Sequence, residues 1–163
     1  MPKVLIAGLG NIFLGDDGFG VEVARRLQQL DLPAWVTVAD FGIRGVHLAF
    51  ELLESDYETV IFLDSTPRGD APGTIYLIEP DTAVTGALVS GVGSNTAVVD
   101  GHGMTPDTVL ALLGSMGGRP RRVLVVGCEP ESVAEGIGLS PAVTGSIWEA
   151  VVLVLTTIEK MEP

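Results

Sequence analysis

The sequence is poor in cysteine and in basic side chains, and each shortage excludes something. Its single cysteine, Cys128, cannot form a disulfide within the chain, so we expect a protein of the reducing cytoplasm. Nine lysine and arginine residues stand against 21 aspartate and glutamate residues, which gives a formal net charge of -12 at pH 7. A negative field of this size repels nucleic acid and anionic membranes, and we expect neither as a partner.

The sequence also lacks a long uninterrupted apolar run. The apolar stretch after Lys3 is too short for the hydrophobic region of a secretory signal. Residues 147–158 are fewer than the roughly 20 apolar residues that cross a bilayer, and Glu149 interrupts them. We therefore expect no export signal and no membrane span. Because 47% of the residues are hydrophobic, we expect one compact domain over residues 1–163.

Apolar, β-branched runs alternate with helical patterns along the chain, which predicts an α/β fold. We predict strands at residues 4–8, 35–39, 59–63, 74–78 and 122–127, and helices after residue 17, at 45–53, after residue 105 and at 141–159. The link "TPRGDAPG" is too short for a crossover helix, so the strand that follows it should lie antiparallel at an edge. The pattern predicts a mostly parallel, five-stranded twisted sheet with one antiparallel edge strand and helices on both faces.

The helical patterns also predict which faces are buried, and one long segment predicts no regular structure. The first helix repeats apolar or small residues at helical spacing: Gly20, Val23, Leu27 and Leu30. The second carries apolar residues on one face: Val46, Ala49, Phe50 and Leu53. Residues 81–103 are rich in glycine, serine and threonine, and we predict a loop there.

A glycine-rich turn, "GLGNIFLGDDGFG", follows the first strand at residues 8–20. Gly8 and Gly10 match the start of a dinucleotide fingerprint, but Phe13 occupies the position of its third glycine. Asp16 and Asp17 would repel a phosphate at the start of the helix, where backbone amides should attract it. Nucleotide binding is therefore disfavoured. One aspartate can cap the helix, and the second is then either a solvated charge or a ligand for a cation.

Three aspartates fall where predicted strands end, and parallel strands end at one edge of a sheet. Asp17, Asp40 and Asp64 each follow a strand, and His102 lies in a glycine-flanked loop before a helix. Two carboxylates and an imidazole from separate loops, Asp17, Asp64 and His102, suit a divalent ion such as nickel, zinc or manganese. Taken singly, Asp64 could merely cap a turn and His102 could be a surface residue. The other histidine, His47, is interpreted as a solvated helix residue.

Five segments together resemble the hydrogenase maturation proteases, the endopeptidases that trim the large subunit of nickel–iron hydrogenases. They are "GLGNIFLGDDGFG", "DFGIRGVHLAFELL", "LDSTPRGDAPGTIY", "DGHGMTPDTVLALL" and "VVGCEPESVAEGIGLSPAV". They occur in the family's order and cover nearly the whole chain. The resemblance implies a phosphorylase/hydrolase-like α/β fold. It also implies a peptidase, aspartyl protease-like in its use of carboxylates, whose partner is a hydrogenase large-subunit precursor.

The resemblance further implies the residues of the site. The family's metal contacts fall on Asp17, where some members have glutamate, and on Asp64 and His102. Nickel is then supplied by the substrate, and the free protein could bind another divalent metal at the same residues. The implied catalytic set is Asp17, Asp40, Asp64 and His102. Two roles stay open for Asp40, one beside the scissile bond and one structural. The segment that follows it, Phe41 to Gly45, departs from the commonest family pattern and bears on the subclass rather than the activity.

Three alternatives come from other classes of protein. A non-enzymatic nickel-binding maturation chaperone would use the same three ligands. A nucleotide-binding oxidoreductase is disfavoured by Phe13 and the paired aspartates. A peptidyl-tRNA hydrolase would continue its Gly-x-Gly-Asn turn with proline and bind RNA, whereas Ile12 follows here and the chain is acidic. No strong nucleophile competes, because Cys128 is interpreted as a buried hydrophobe and Ser65 lacks a nucleophile elbow.

Overall fold

The computed structural model describes residues 2–80 and 105–162, and this part of the chain folds around one sheet. The strands are β1 (Val4–Leu9), β2 (Val36–Gly42), β3 (Thr59–Ser65), β4 (Ile75–Ile78) and β5 (Arg122–Cys128). The helices are α1 (Phe19–Gln28), α2 (Gly45–Glu54), α3 (Pro106–Ser115), α4 (Pro141–Thr144) and α5 (Ile147–Glu159). A short 3-10 turn, Gly15–Gly18, precedes α1. The loop predicted at 81–103 lies outside the described residues.

The five strands of the described chain lie in the order β2-β1-β3-β5-β4. β1 pairs in parallel with β2 and with β3, and β3 pairs in parallel with β5. β4 is antiparallel to β5 and lies at the edge, because the short link from β3 leaves no room for a crossover. The predicted α/β architecture, with its antiparallel edge strand, is confirmed.

Helices cover both faces of the sheet, because side chains of the central strands alternate between two separate cores. On one face, alternate residues of the strands pack against α1 and α5: Val4, Ile6, Ile61, Leu63, Leu124 and Val126. On the other face, the intervening residues pack against α2 and α3: Leu5, Ala7, Val60, Phe62, Val123 and Val125. The helix predicted after Thr105 begins there with a capping box formed by Thr105 and Thr108.

Two predicted helical faces were wrong in detail. α1 ends at Gln28, so Leu30 lies beyond the helix and is partly exposed. The buried face of α2 consists of Gly45, Leu48, Ala49 and Leu52. Val46, Phe50 and Leu53 of the predicted face are exposed instead, Phe50 by 45%. Two overlapping apolar stripes run along this helix, and Leu48 and Leu52 form the one that meets the sheet.

The C-terminal segment, predicted as one helix at 141–159, is broken at Gly145 and Ser146 into α4 and α5. The Ser146 hydroxyl donates to the Gly73 carbonyl oxygen at 2.6 Å and thereby holds the break against the loop before β4. By length and composition alone, Pro141–Glu159 could cross a membrane. Its hydrophobic residues Val151 and Val154 are buried in the core, whereas Trp148 and Val152 are exposed.

Gly20 allows α1 to lie directly on the sheet, and replacing it should be costly. A Cβ at Gly20 would lie 2.0 Å from the Leu63 carbonyl oxygen and 2.5 Å from that of Leu9. We expect Gly20→Ala to lower the free energy of unfolding by about 2–3 kcal/mol, because backbone atoms must move to relieve the overlap. Urea titration measures this change.

Gly114 provides the matched control for that substitution. It lies exposed in α3, and a Cβ added there would meet nothing within 4 Å. Gly114→Ala should therefore be neutral or stabilising by about 0.5–1 kcal/mol, since alanine is the better helix former. Equal effects of the two substitutions would show that close packing of α1 is not what Gly20 provides.

Candidate active site

The turn between β1 and α1 brings a carboxylate back to the carboxyl edge of the sheet. After β1 the chain passes Gly10, whose φ of 133° lies in a region that side chains disfavour. A Cβ at Gly10 would lie 1.8 Å from the carbonyl oxygen of Asp17, so only glycine allows this approach. The "GLGNIFLGDDGFG" turn therefore folds back on itself and sets Asp17 beside the end of the strand that precedes it.

The two adjacent aspartates have different tasks, and neither caps α1, whose N-cap is Gly18. Asp16 is 1% exposed and its carboxylate accepts hydrogen bonds from the C-terminal part of the chain. The donors are the backbone amides of Glu131 (2.8 Å), Ser132 (3.2 Å) and Ser140 (2.7 Å) and the Ser140 hydroxyl (2.8 Å). Burial alone would raise the pKa of Asp16, but these hydrogen bonds outweigh it and lower the pKa. Asp16 is thus a structural clamp.

Backbone hydrogen bonds add to these contacts and form a short ladder between residues 13–16 and residues 132–136. The Gly136 amide donates to the Phe13 carbonyl at 2.8 Å, and the Gly15 amide donates to the Gly136 carbonyl at 2.9 Å. The Asp16 amide donates to the Ser132 carbonyl at 3.0 Å. The first and last of the five family-like segments are therefore joined in one loop assembly at the carboxyl edge.

Asp17 points the other way, towards the end of β3. Its Oδ2 accepts a hydrogen bond from the Asn11 amide at 2.8 Å, and its Oδ1 accepts one from the Ser65 hydroxyl at 3.1 Å. Ser65 is the last residue of β3 and directly follows Asp64. The charge of Asp17 also raises the pKa of Asp64, so the carboxylates predicted from two separate loops lie within electrostatic range of each other.

Asp64 is a carboxyl group in an unfavourable environment for its charge. It is 6% exposed. Burial raises its pKa well above the ordinary value, and the nearby charges of Asp17 and Asp107 raise it further against the opposing Ser65 amide. In the described part of the chain no lysine or arginine forms an ion pair with Asp17 or Asp64. A bound cation would supply the missing positive charge.

Asp40 lies on the edge strand β2, in register with Gly8 of β1. Its carboxylate is 3.6 Å from the Arg25 side chain, and its carbonyl oxygen accepts a hydrogen bond from Arg44 at 2.6 Å. No hydrogen bond between described residues joins it to Asp17. These contacts favour the structural alternative for Asp40, and its predicted catalytic role stays a prediction.

His102 lies outside the described residues, so the structure does not test the predicted trio. Among residues 2–80 and 105–162, no group of three histidine, cysteine, aspartate or glutamate side chains could hold a metal ion. The structure places Asp17 and Asp64 within electrostatic range of each other, and the metal-binding roles of Asp17, Asp64 and His102 stay predictions. His47 is exposed on α2, as predicted.

Two residues near the site were not predicted from the sequence: Glu129, and Asp107, whose charge raises the pKa of Asp64. Glu129 is 5% exposed and accepts hydrogen bonds from the amides of Arg68 (2.8 Å) and Asp70 (3.1 Å) and from the Tyr76 hydroxyl (2.7 Å). Chiefly through the Tyr76 hydrogen bond, its pKa is lowered. Glu129 therefore anchors the loop that leaves the site after Asp64. A glutamate directly after an apolar strand is the only sequence signal for this role.

Cys128 ends β5 and is fully buried, as predicted. Burial is the largest cause that raises the pKa of its thiol to about 12, so the reactive thiolate is scarce at neutral pH. Cys128 thus belongs to the core and does not act as a nucleophile.

Comparisons with known proteins agree with this geometry. A family model described as hydrogenase maturation protease matches residues 21–157. The hydrogenase 2 maturation protease of Escherichia coli K12 is 30% identical over 160 residues, which cover 97% of this chain and 92% of that protein.

Solved structures show the same similarity. A crystal structure of a hydrogenase 2 maturation peptidase from a Thaumarchaeota archaeon superposes with a TM-score of 0.72 at 33% identity, covering 96% of this chain and 97% of that one. The hydrogenase maturating endopeptidase HybD of Escherichia coli superposes with a TM-score of 0.76 at 29% identity, covering 98% and 93%. The resemblance carried by the five segments is therefore confirmed over nearly the whole chain.

Proposed function

Because the chain belongs to the hydrogenase maturation protease family, we propose that it removes the C-terminal extension of a nickel-loaded nickel–iron hydrogenase large-subunit precursor. The observation that carries the proposal is the buried Asp64 carboxyl next to Asp17, without a basic partner among the described residues. Two carboxylates placed in this way repel each other when both are charged, and a divalent cation bound between them would relieve that repulsion.

In this proposal the nickel ion belongs to the substrate. Asp17 and Asp64 complete its coordination from one side, with His102 as the third ligand from this chain. The protease then binds the loaded precursor more tightly than the empty one, because only the loaded precursor supplies a positive charge to the carboxylates. Cleavage therefore follows only after the metal has been inserted into the precursor.

The same contact supplies a route to hydrolysis. A cation at the carboxylates polarises the scissile carbonyl or lowers the pKa of a bound water. A nearby carboxylate, Asp40 or one of the ligands, accepts the proton of the attacking water. The proton passes to the leaving amine as the carbon–nitrogen bond breaks, and a shortened subunit and a free peptide result.

We expect cleavage to require both the loaded metal and the carboxylates. The protein is mixed with its matched precursor, purified with and without nickel, and the subunit mass is followed by mass spectrometry. Only the nickel-loaded precursor should shorten. Single substitutions Asp17→Ala, Asp64→Ala and His102→Ala should each slow this reaction by at least about a hundredfold, since a Lewis-acid contact is worth several kcal/mol.

Two outcomes contradict the proposal in different ways. Undiminished cleavage by all three variants removes the metal contact from the mechanism. Nickel-dependent binding of the precursor without any shortening identifies the alternative, a non-enzymatic nickel-binding maturation chaperone. Precursor loaded with zinc or manganese, run in parallel, tests whether the contact selects nickel.

A further inference from the structure

Both oxygens of the Asp17 carboxylate are held by donors within the protein. The Asn11 amide donates to Oδ2 at 2.8 Å and the Ser65 hydroxyl donates to Oδ1 at 3.1 Å. The Asn11 side chain in turn accepts a hydrogen bond from the Phe13 amide at 2.9 Å, which braces the turn. The orientation of this carboxylate is therefore set before any ligand arrives.

Ser65 is itself held rigidly. It pairs with Cys128 in the parallel register of β3 and β5, and the next amide, that of Thr66, donates to the Cys128 carbonyl at 2.8 Å. The backbone that carries the Ser65 hydroxyl is therefore fixed beside its acceptor. The hydroxyl contrasts with the Asn11 donor, which is backbone and present whatever side chain occupies position 11.

From this arrangement we infer that Ser65 is a positioning residue, whose hydroxyl orients Asp17 towards the substrate's metal. This inference rests on the proposed function. A carboxylate oxygen has two lone pairs, and one on each oxygen of Asp17 is used by Ser65 or Asn11. The remaining lone pairs are left for the metal in a fixed direction. Partners of this kind tune metal affinity without contacting the ion.

Ser65 is not proposed as a nucleophile, because it lacks the Gly-x-Ser-x-Gly elbow that exposes a serine nucleophile. Its hydroxyl serves as a hydrogen-bond donor to the Asp17 carboxylate. It acts on the reaction through Asp17, and removing it should change binding of the metal more than the chemical step.

The test compares Ser65→Ala, Ser65→Thr and Ser115→Ala with the unaltered chain. Ser115 lies exposed at the end of α3, where its hydroxyl donates to the Leu112 carbonyl, so its variant controls for loss of a serine. Nickel binding to each protein is measured by calorimetry, with NiCl2 as the probe. Ser65→Ala should weaken binding about ten- to a hundredfold, whereas Ser65→Thr, which keeps the hydroxyl, and Ser115→Ala should bind within about twofold of the unaltered chain.

Cleavage of nickel-loaded precursor provides a second readout that does not depend on affinity in the free protein. Ser65→Ala should raise KM about tenfold or more, with a smaller change in kcat and an unchanged urea midpoint. A fall in kcat at constant KM would overturn the inference, because the hydroxyl would then act in the chemical step. A Ser65→Ala protein that matches the unaltered chain in both readouts would also overturn it.

Asp17→Ala separates this inference from the proposed function. If Asp17→Ala loses cleavage and Ser65→Ala does not, Ser65 has no positioning role and the metal contact stands. If Asp17→Ala cleaves normally, the metal contact itself is wrong and the role of Ser65 falls with it.

Discussion

Asp64→Asn should reduce cleavage of nickel-loaded precursor by at least about a hundredfold and leave the free protein as stable as the unaltered chain at pH 7, or more stable. In the proposed function Asp64 is a charged ligand of the substrate's metal, and loss of such a contact is worth several kcal/mol. The stability follows from the position of the carboxyl, which is 6% exposed and beside the charge of Asp17. A neutral amide of nearly the same shape avoids that unfavourable charge.

The pH dependence has a definite sign. Burial raises the pKa of Asp64 above its ordinary value, so the folded protein holds this proton more tightly than the unfolded chain does. The stabilisation is complete below the ordinary aspartate pKa and is lost as pH rises through the raised pKa. The free energy of unfolding of the unaltered chain minus that of Asp64→Asn, measured by urea titration across this range, should therefore fall as pH rises.

Asp31→Asn is the matched control, because Asp31 is exposed and no hydrogen bond or ion pair is found for it in the described structure. It should leave activity and stability unchanged. If Asp64→Asn cleaves at the normal rate, Asp64 is not a ligand of the substrate's metal. If it unfolds more easily at pH 7, the charged form of Asp64 is stabilising and the explanation of its burial fails.

Asp16→Ala should lower the free energy of unfolding by about 3–5 kcal/mol and the melting temperature by about 10 °C. The substitution leaves the amides of Glu131, Ser132 and Ser140 and the Ser140 hydroxyl without their acceptor. Each buried donor left unpaired costs about 1–3 kcal/mol, and water can replace the acceptor for those nearest the surface. Chemical and thermal unfolding followed by circular dichroism measure the change.

Glu135→Ala removes a charge from the same loop at an exposed position and should change stability by no more than about 0.5 kcal/mol. The Asp16 contribution also has a pH signature opposite to that of Asp64. Because the pKa of Asp16 is lowered in the fold, its contribution is present above the ordinary value and is lost as pH falls through the lowered pKa. A small effect of Asp16→Ala at neutral pH would show that the ladder holds without the carboxylate.

The sheet could be predicted from the sequence because its signals are local. Apolar runs between turns located all five strands to within a few residues, and the short link "TPRGDAPG" sufficed to make β4 antiparallel. Which stripe of α2 is buried was not local information. The helix carries two apolar rows, one formed by Val46, Phe50 and Leu53 and the other by Leu48 and Leu52. Only the position of the sheet determines that the second row is buried.

The carboxylates at the carboxyl edge of the sheet could be located from the sequence, but their hydrogen-bond partners could not. A pair of adjacent aspartates indicates that at least one has a role other than capping the helix. In the structure neither aspartate caps α1, whose N-cap is Gly18. Asp16 binds donors 115 to 124 residues later in the chain, a distance over which no pattern is visible. The contacts of Ser65 and Glu129 could not be predicted for the same reason, because their partners come from other segments.

The ladder between residues 13–16 and 132–136 bears on when a newly made chain becomes competent. β1 lies inside the sheet, between β2 and β3, yet the turn that follows it finds its acceptors and donors only after β5 has been added. Contacts of such high sequence separation form late in folding, and synthesis delivers their partners last. A ribosome-bound chain that has emerged only as far as α3 lacks residues 132–136, so the turn that carries Asp16 and Asp17 gains these hydrogen bonds only near the end of translation.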